Sequence, residues 1–137
     1  MDEPVPHLLH TVLDAEDVRE LAEFYRQLLG LQYRAGDERQ DGGSDDADWL
    51  VLMDGHGNRR LAFQKVPVLP RVTWPEDGVA QQLHLDMSVP SVEELDRQHR
   101  RALDLGARLL LDRTDDPKEP LRVYADLAGH PFCILVG

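Results

Sequence analysis

One ordered pattern occurs twice in this chain: an apolar strand carrying a histidine, a capped amphipathic helix, and a glycine that stops the helix. The first copy opens with HLLHTVL (7–13), a short apolar run with β-branched residues, and turns helical within VLDAEDVRELAEFYRQLLG (12–30). Val18, Leu21, Ala22, Tyr25, Leu28 and Leu29 recur at spacings of three and four and define one buried face. Asp17 serves as N-cap with Glu20 at the capping-box position, and Gly30 supplies the left-handed stop.

The second copy opens with QLHLDMSV (82–89), where Leu83, Leu85, Met87 and Val89 alternate with His84, Asp86 and Ser88. SVEELDRQHRRALDLGA (91–107) follows, with Ser91 as N-cap, Glu94 at the capping-box position, a stripe of Val92, Leu95, His99 and Ala102, and Gly106 as the stop. His10 to Gly30 spans 20 residues and His84 to Gly106 spans 22, so the two histidines occupy matching places.

Three strand-like segments follow each helix: 31–35, 48–54 and 59–66 in the first half, and 107–112, 121–126 and 131–137 in the second. DGHGN (54–58) and DLAGH (126–130) are the matching turns between the last two strands of each half. Each half therefore reads β-α-β-β-β. A half of this kind has one apolar sheet face that it cannot cover alone, so two copies should pair. The expectation is one α+β domain over 1–137, with module one at 7–66, a connector at 67–80 and module two at 81–137. At 137 residues the chain can bury such a core unaided.

The connector, PVLPRVTWPEDGVA, has three prolines and a tryptophan and reads as extended chain on the surface. The stretch 36–48, GDERQDGGSDDAD, lacks the spaced oxygens and closing glutamate of a calcium loop and reads as a solvated loop. The formal net charge of -11 repels phosphate backbones and anionic lipid, which argues against nucleic-acid and membrane partners. With a single cysteine there is no internal disulfide, and the sequence contains no apolar run suited to a signal peptide or a membrane span. A cytoplasmic setting is expected.

His10 with DVRELAEFYRQLLGL (17–31), the LAFQKV strand, QLHLDM (82–87), LDLGA (103–107) and VYADLAGHPFCILV (123–136) together resemble the vicinal oxygen chelate superfamily, the glyoxalase, bleomycin-resistance and extradiol dioxygenase group. FQKVP, the connector's tryptophan-proline, QQLHLDM and YADLAGHPFC further resemble a bacterial glyoxalase-like group. The resemblance implies two paired βαβββ modules forming an open, barrel-like cavity. It implies that metal-dependent relatives point four side chains into that cavity, at positions that fall here on His10, Gln64, His84 and Cys133. It also implies a homodimer, in some relatives with cavities shared between chains.

None of those four is a carboxylate, whereas many relatives place glutamate at one or both last-strand positions. Two imidazoles, an amide and a buried thiol make a poor cage for nickel, manganese or iron, although a His/His/Cys set suits zinc. The candidate ligand-binding residues are His10, Gln64, His84, Asp86, Tyr124 and Cys133, with His10 and His84 as candidate metal ligands and Zn, Ni, Mn or Fe as the candidate ions. Asp86, on the face of His84, can orient it or act as a base. Tyr124 offers a phenolic donor or fills the core. Cys133 has three readings, an apolar wall residue, a metal ligand or a reactive thiol, and the alternation of its strand sends His130 to the opposite face. His56 and His99 are read as structural or exposed, and Trp49 and Trp74 as packing at a subunit contact or over a ligand.

Two functions follow. One is small-molecule binding with a degenerate or weak metal site, acting by sequestration, resistance or metal-free chemistry. The other is a metal-dependent lyase, isomerase or dioxygenase. Whether the chain is an enzyme stays open at this level, because one scaffold hosts all of these.

Overall fold

The computed structural model describes residues 4–137. Its elements run β1 (Thr11–Ala15), α1 (Val18–Leu29), β2 (Gln32–Tyr33), β3 (Trp49–Met53), β4 (Arg59–Lys65), β5 (Leu85–Val89), α2 (Val92–Asp104), β6 (Arg108–Arg113), β7 (Leu121–Ala125) and β8 (Pro131–Val136). They build two four-stranded mixed sheets, ordered β1-β4-β3-β2 and β5-β8-β7-β6. In each, the first strand lies parallel to the last, a pairing that needs the long connection provided here by the helix and the two strands between them. The duplicated pattern is thus a duplicated α+β module, and the two sheets do not close into a barrel.

Both helices start where their caps predict. The Asp17 carboxylate accepts from the Glu20 backbone N–H at 3.1 Å, and the Ser91 hydroxyl accepts from that of Glu94 at 3.2 Å. Gly30 stops α1 with φ 67°, while α2 ends one residue before Gly106, at Leu105 in right-handed helical geometry. Two stripe residues depart from expectation: Leu29 and Val92 are exposed, and Phe24 is buried instead. The stripes are narrower than the sequence suggests because each helix covers mainly its own four-stranded sheet.

The layer between helices and sheets is one core shared by both modules. Leu13, Ala15, Leu50, Leu52, Leu61 and Phe63 come from the first sheet, and Tyr124, Phe132 and Ile134 from the second. Phe24 and Tyr25 of α1 meet Phe132 of β8 with ring centroids 5.8 and 6.1 Å apart. Arg101 of α2 donates to the Gln27 carbonyl at the end of α1 at 2.7 Å.

The DLAGH turn ties the modules a second time. Asp126, 2 % exposed, accepts from the backbone N–H groups of Ala128 and His130 at 2.9 and 3.0 Å and from the Tyr25 hydroxyl at 2.6 Å. The His130 ring reaches β1, with Nε2 2.6 Å from the Asp14 carbonyl oxygen. The motif that looked like a hairpin turn is also a clasp between α1, β1 and β8.

The connector is extended only in its first part. From Thr73 it closes on itself: the Thr73 backbone N–H donates to the Val79 carbonyl and the Val79 N–H to the Thr73 hydroxyl oxygen, both at 2.9 Å. Its neck is anchored by Arg71, which donates to the Leu127 carbonyl at 2.9 Å, and by the Leu69 N–H on the Glu16 carboxylate at 3.1 Å. No helix among the described residues is long and apolar enough to cross a membrane.

Candidate functional site

Each sheet has a second face, turned away from the helices. In the first sheet the alternation places His10, Val12, Asp14, Val51, Ala62, Gln64 and Trp49 there, opposite the core residues Leu13, Leu50, Leu52, Leu61 and Phe63. In the second, Leu85, Met87 and Val89 pack on the core while His84, Asp86 and Ser88 are exposed on the other side. Strand register then sets a row across this open face: Asp86 beside Cys133, Cys133 beside Val123, and Val123 beside Leu111.

At one end of this row three different donors converge. One ligand atom from each of His84, Asp86 and Cys133 lies within 4.8 Å of the others. His84 Nε2 is 3.3 Å from the Asp86 carboxylate. Both of those side chains are open to solvent, whereas Cys133 is only 6 % exposed. Burial pushes the Cys133 thiol up to about 11, and the nearby Asp86 and Glu119 carboxylates add to the shift. The thiol is therefore held protonated, the reverse of what a nucleophile requires.

The connector supplies the wall. Trp74 stacks on His84 with ring centroids 5.5 Å apart and planes 6° from parallel. The Gln81 amide lies between the two rings, and turned with its oxygen toward the indole it would accept from Trp74 Nε1 at 3.1 Å and donate to His84 Nδ1 at 3.2 Å. Gln81 and Glu119 are the two members of this neighbourhood that sequence reading missed. Glu119 lies outside any strand, and the only signal for Gln81 was its place three residues before His84.

The remaining candidates are distributed differently. His10 precedes β1 as His84 precedes β5, so the match of the two histidines holds, but His10 is outside the three-donor group. Its ring lies 5.9 Å from that of Trp49, and its buried Nδ1 has no hydrogen-bond partner. Partial burial, then Arg59 and Arg34, lower its pKa and keep the ring neutral. Gln64 is exposed, between Asp14 and Trp49. The register also shifts its expected equivalence: Val12 pairs with Ala62 as Asp86 pairs with Cys133, so the module-one counterpart of Cys133 is Ala62.

Tyr124 is not brought to the open face. It stands in the core on the helix side of β7, stacked on Phe132 at 5.1 Å, with its hydroxyl 2.7 Å from His99 Nδ1. Between the two open faces, a cleft of about 320 Å³ runs under the connector and is walled by Val12, Leu69, Val72, Val79, Leu83 and Pro131. Two of its wall residues are near neighbours of the donor group along the chain: Leu83 precedes His84, and Pro131 shares the Cys133 face of β8. Its walls are mainly apolar, with Asp14, Gln82 and His130 as polar members.

Residues 10–135 match the family model of the glyoxalase-like domain. The chain belongs to that family. Solved structures carry the same fold across nearly the whole chain. Fosfomycin resistance protein FosX from Listeria monocytogenes superposes with a TM-score of 0.70 at 16% identity, covering 98% of this chain and 93% of that one. A FosX variant complexed with Mn(II) and 1S,2S-dihydroxypropylphosphonic acid gives 0.69 at 17%, covering 98% and 94%. A glyoxalase/bleomycin resistance protein/dioxygenase family enzyme from Burkholderia phytofirmans gives 0.67 at 15%, covering 93% and 96%. Among curated proteins none matches.

Within this glyoxalase-like chain, His84 and Cys133 meet, joined by Asp86, while His10 stands just ahead of β1 and Gln64 lies on β4. The donors that do converge, an imidazole, a carboxylate and a thiol, are of the kind that suits zinc rather than magnesium or manganese.

Proposed function

We propose that this glyoxalase-like protein binds a small organic molecule at the cleft beside His84, Asp86 and Cys133, its family metal site being degenerate. The observation that carries this is that His84 and Cys133 gather with Asp86 and without His10, and that none of His10, Gln64, His84 and Cys133 is a carboxylate. The apolar cleft under the connector, with Asp14, Gln82 and His130 as its polar members, supports an amphipathic ligand. The likeness to a fosfomycin resistance protein supports capture or modification of an antibiotic-like compound as the biological use. Bleomycin-type cationic compounds also suit the net charge of -11.

On this reading the protein works in the cytoplasm as a homodimer. Supporting a second copy, Leu8 and Leu9 stand 92% and 58% exposed just ahead of β1, an apolar segment of the sort subunit contacts cover. The buried reduced thiol supports the reducing compartment.

A second reading is favoured by the donor group itself. His84, Asp86 and Cys133 would hold a zinc-like ion, which when bound would supply Lewis-acid chemistry for a lyase, isomerase or dioxygenase reaction. Asp86 supplies a carboxylate that the four-position reading lacked. Its role would be to complete the ligand set or to accept a substrate proton.

Elemental analysis of untagged protein after exposure to Zn, Ni, Mn and Fe(II), paired with a thermal-shift screen of antibiotics and cationic natural products, separates the two. The binding reading expects no metal retained after removal of excess and a ligand whose stabilisation survives Cys133→Ala. Near one metal per chain, lost in His84→Ala and Cys133→Ala, would replace it with the metal-dependent one.

A further inference from the structure

We infer that Gln81 is a positioning residue that fixes which nitrogen of His84 carries the proton, and so places the ring N–H on the side that faces Asp86 and any bound ligand. The inference rests on the proposed site at His84, and it concerns the resting protein.

The two orientations of the Gln81 amide are unequal. With its oxygen toward Trp74, three contacts are satisfied: Trp74 Nε1 donates to the oxygen at 3.1 Å, and the NH2 donates to His84 Nδ1 at 3.2 Å and to the Leu83 carbonyl at 3.3 Å. Reversed, the oxygen stands 3.2 Å from Nδ1, where it can accept only if that nitrogen is protonated. The NH2 then faces the indole N–H, and the amide oxygen faces the Leu83 carbonyl. Two like-polarity contacts therefore oppose the reversed state, each with the cost of a lost hydrogen bond.

The favoured orientation makes Nδ1 an acceptor, which in a neutral ring places the proton on Nε2. Nε2 is the atom 3.3 Å from the Asp86 carboxylate, so the proton stands on the side of the ring nearest that charge. A directed chain results, from the Trp74 indole through Gln81 to His84, with the Asp86 carboxylate and the Cys133 thiol on the far side of the ring. The groups facing the ring are Gln81 and Asp86 on its own segment, Cys133 on β8 and Trp74 on the connector, with Glu119 beyond the thiol.

The consequence is chemical. In this state His84 offers an N–H and no lone pair toward Asp86 and Cys133, which suits a ligand carbonyl, phosphoryl or hydroxyl oxygen. To offer its Nε2 lone pair to a metal or a proton, the neutral ring must move its own proton to Nδ1. The amide must then turn, and Trp74 must give up its acceptor. The loop of residues 73–79 is thereby coupled to the protonation pattern of the ring.

The test is long-range ¹H–¹⁵N correlation NMR of the ligand-free protein above the imidazole titration range, with the His84 signals assigned by a His84→Gln variant. The expected result is the Nε2–H tautomer in the wild type and a mixture in Gln81→Leu. In Gln81→Glu, whose carboxylate accepts and cannot donate, the Nδ1–H form is expected. Trp74 emission in a Trp49→Phe background confirms that each variant keeps the folded loop. An Nδ1–H wild type, or one tautomer in all three folded proteins, overturns the inference. Because no ligand is added, failure of the proposed binding function would leave this result untouched, and the reverse holds too.

Discussion

Three side chains show how a residue's surroundings, more than its type, set its role here. Cys133 is a buried thiol beside a carboxylate: held near 11 against an ordinary 9.0, it presents roughly a hundredfold less thiolate at neutral pH than a free cysteine. Alkylation by iodoacetamide should be slower by about that factor and return to the free rate in denaturant; equal rates in both states would show the thiol to be activated. Asp126 is a clasp, raised above the usual carboxylate range by burial even though Tyr25 and two backbone N–H groups donate to it. Asp126→Ala strands those donors and should cost about 3 kcal/mol in urea denaturation, with Tyr25→Phe costing about 1–2 kcal/mol. His99 answers to pH. Its pKa is lowered, first by burial and then by Arg122, so the unfolded chain binds its proton at higher pH than the folded one. That makes stability fall as pH drops through 6.5, and His10 adds in the same direction. A His99→Gln variant should flatten the decline of the urea midpoint between neutrality and about pH 5; an unchanged slope would assign the effect elsewhere.

At the level of elements, the connector matters more than its composition suggests. Its position depends on a close approach to the DLAGH turn: a Cβ at Gly129, whose φ is 93°, would lie 2.9 Å from Arg71 Cγ. Gly129→Ala should therefore strain the turn and displace Arg71 together, lowering stability by about 1–2 kcal/mol. Arg71→Ala, which removes the tether without straining the turn, should leave stability within about 1 kcal/mol but shift Trp74 emission, measured in a Trp49→Phe background. Matching emission spectra with and without Arg71 would mean that the loop holds its place by its own closure alone.

For the whole molecule, the shared core predicts one cooperative unit. Phe132 lies in module two yet touches Phe24 and Tyr25 of module one. Phe132→Ala should cost about 3–5 kcal/mol and move the unfolding of both modules together. Trp49 emission, reporting module one, and far-ultraviolet circular dichroism should give one midpoint. Two separated transitions would mean that each module folds alone.

The fold was legible because its signals are local and repeated. Both caps, both histidine-bearing strands and the order of elements follow from spacing, capping chemistry and the change of period from two to 3.6. The open-face assignment of His84, Asp86 and Cys133 was legible for the same reason, since alternation alone separates them from Leu85, Met87 and Phe132. What sequence left undecided was partnership between strands and loops. Tyr124 could serve core or pocket until β7 met α2 and gave it His99. Gln64 looked equivalent to Cys133 until the β1–β4 register put Ala62 there. Gln81 and Trp74 carried no periodic signal because their irregular segment is positioned by contacts with residues far along the chain, among them Glu16 and Leu127. Local sequence determined the two modules and the faces of their strands. Only the tertiary structure decided which polar groups on those faces meet, because a donor's partner is chosen by packing between segments whose spacing along the chain carries no record of it.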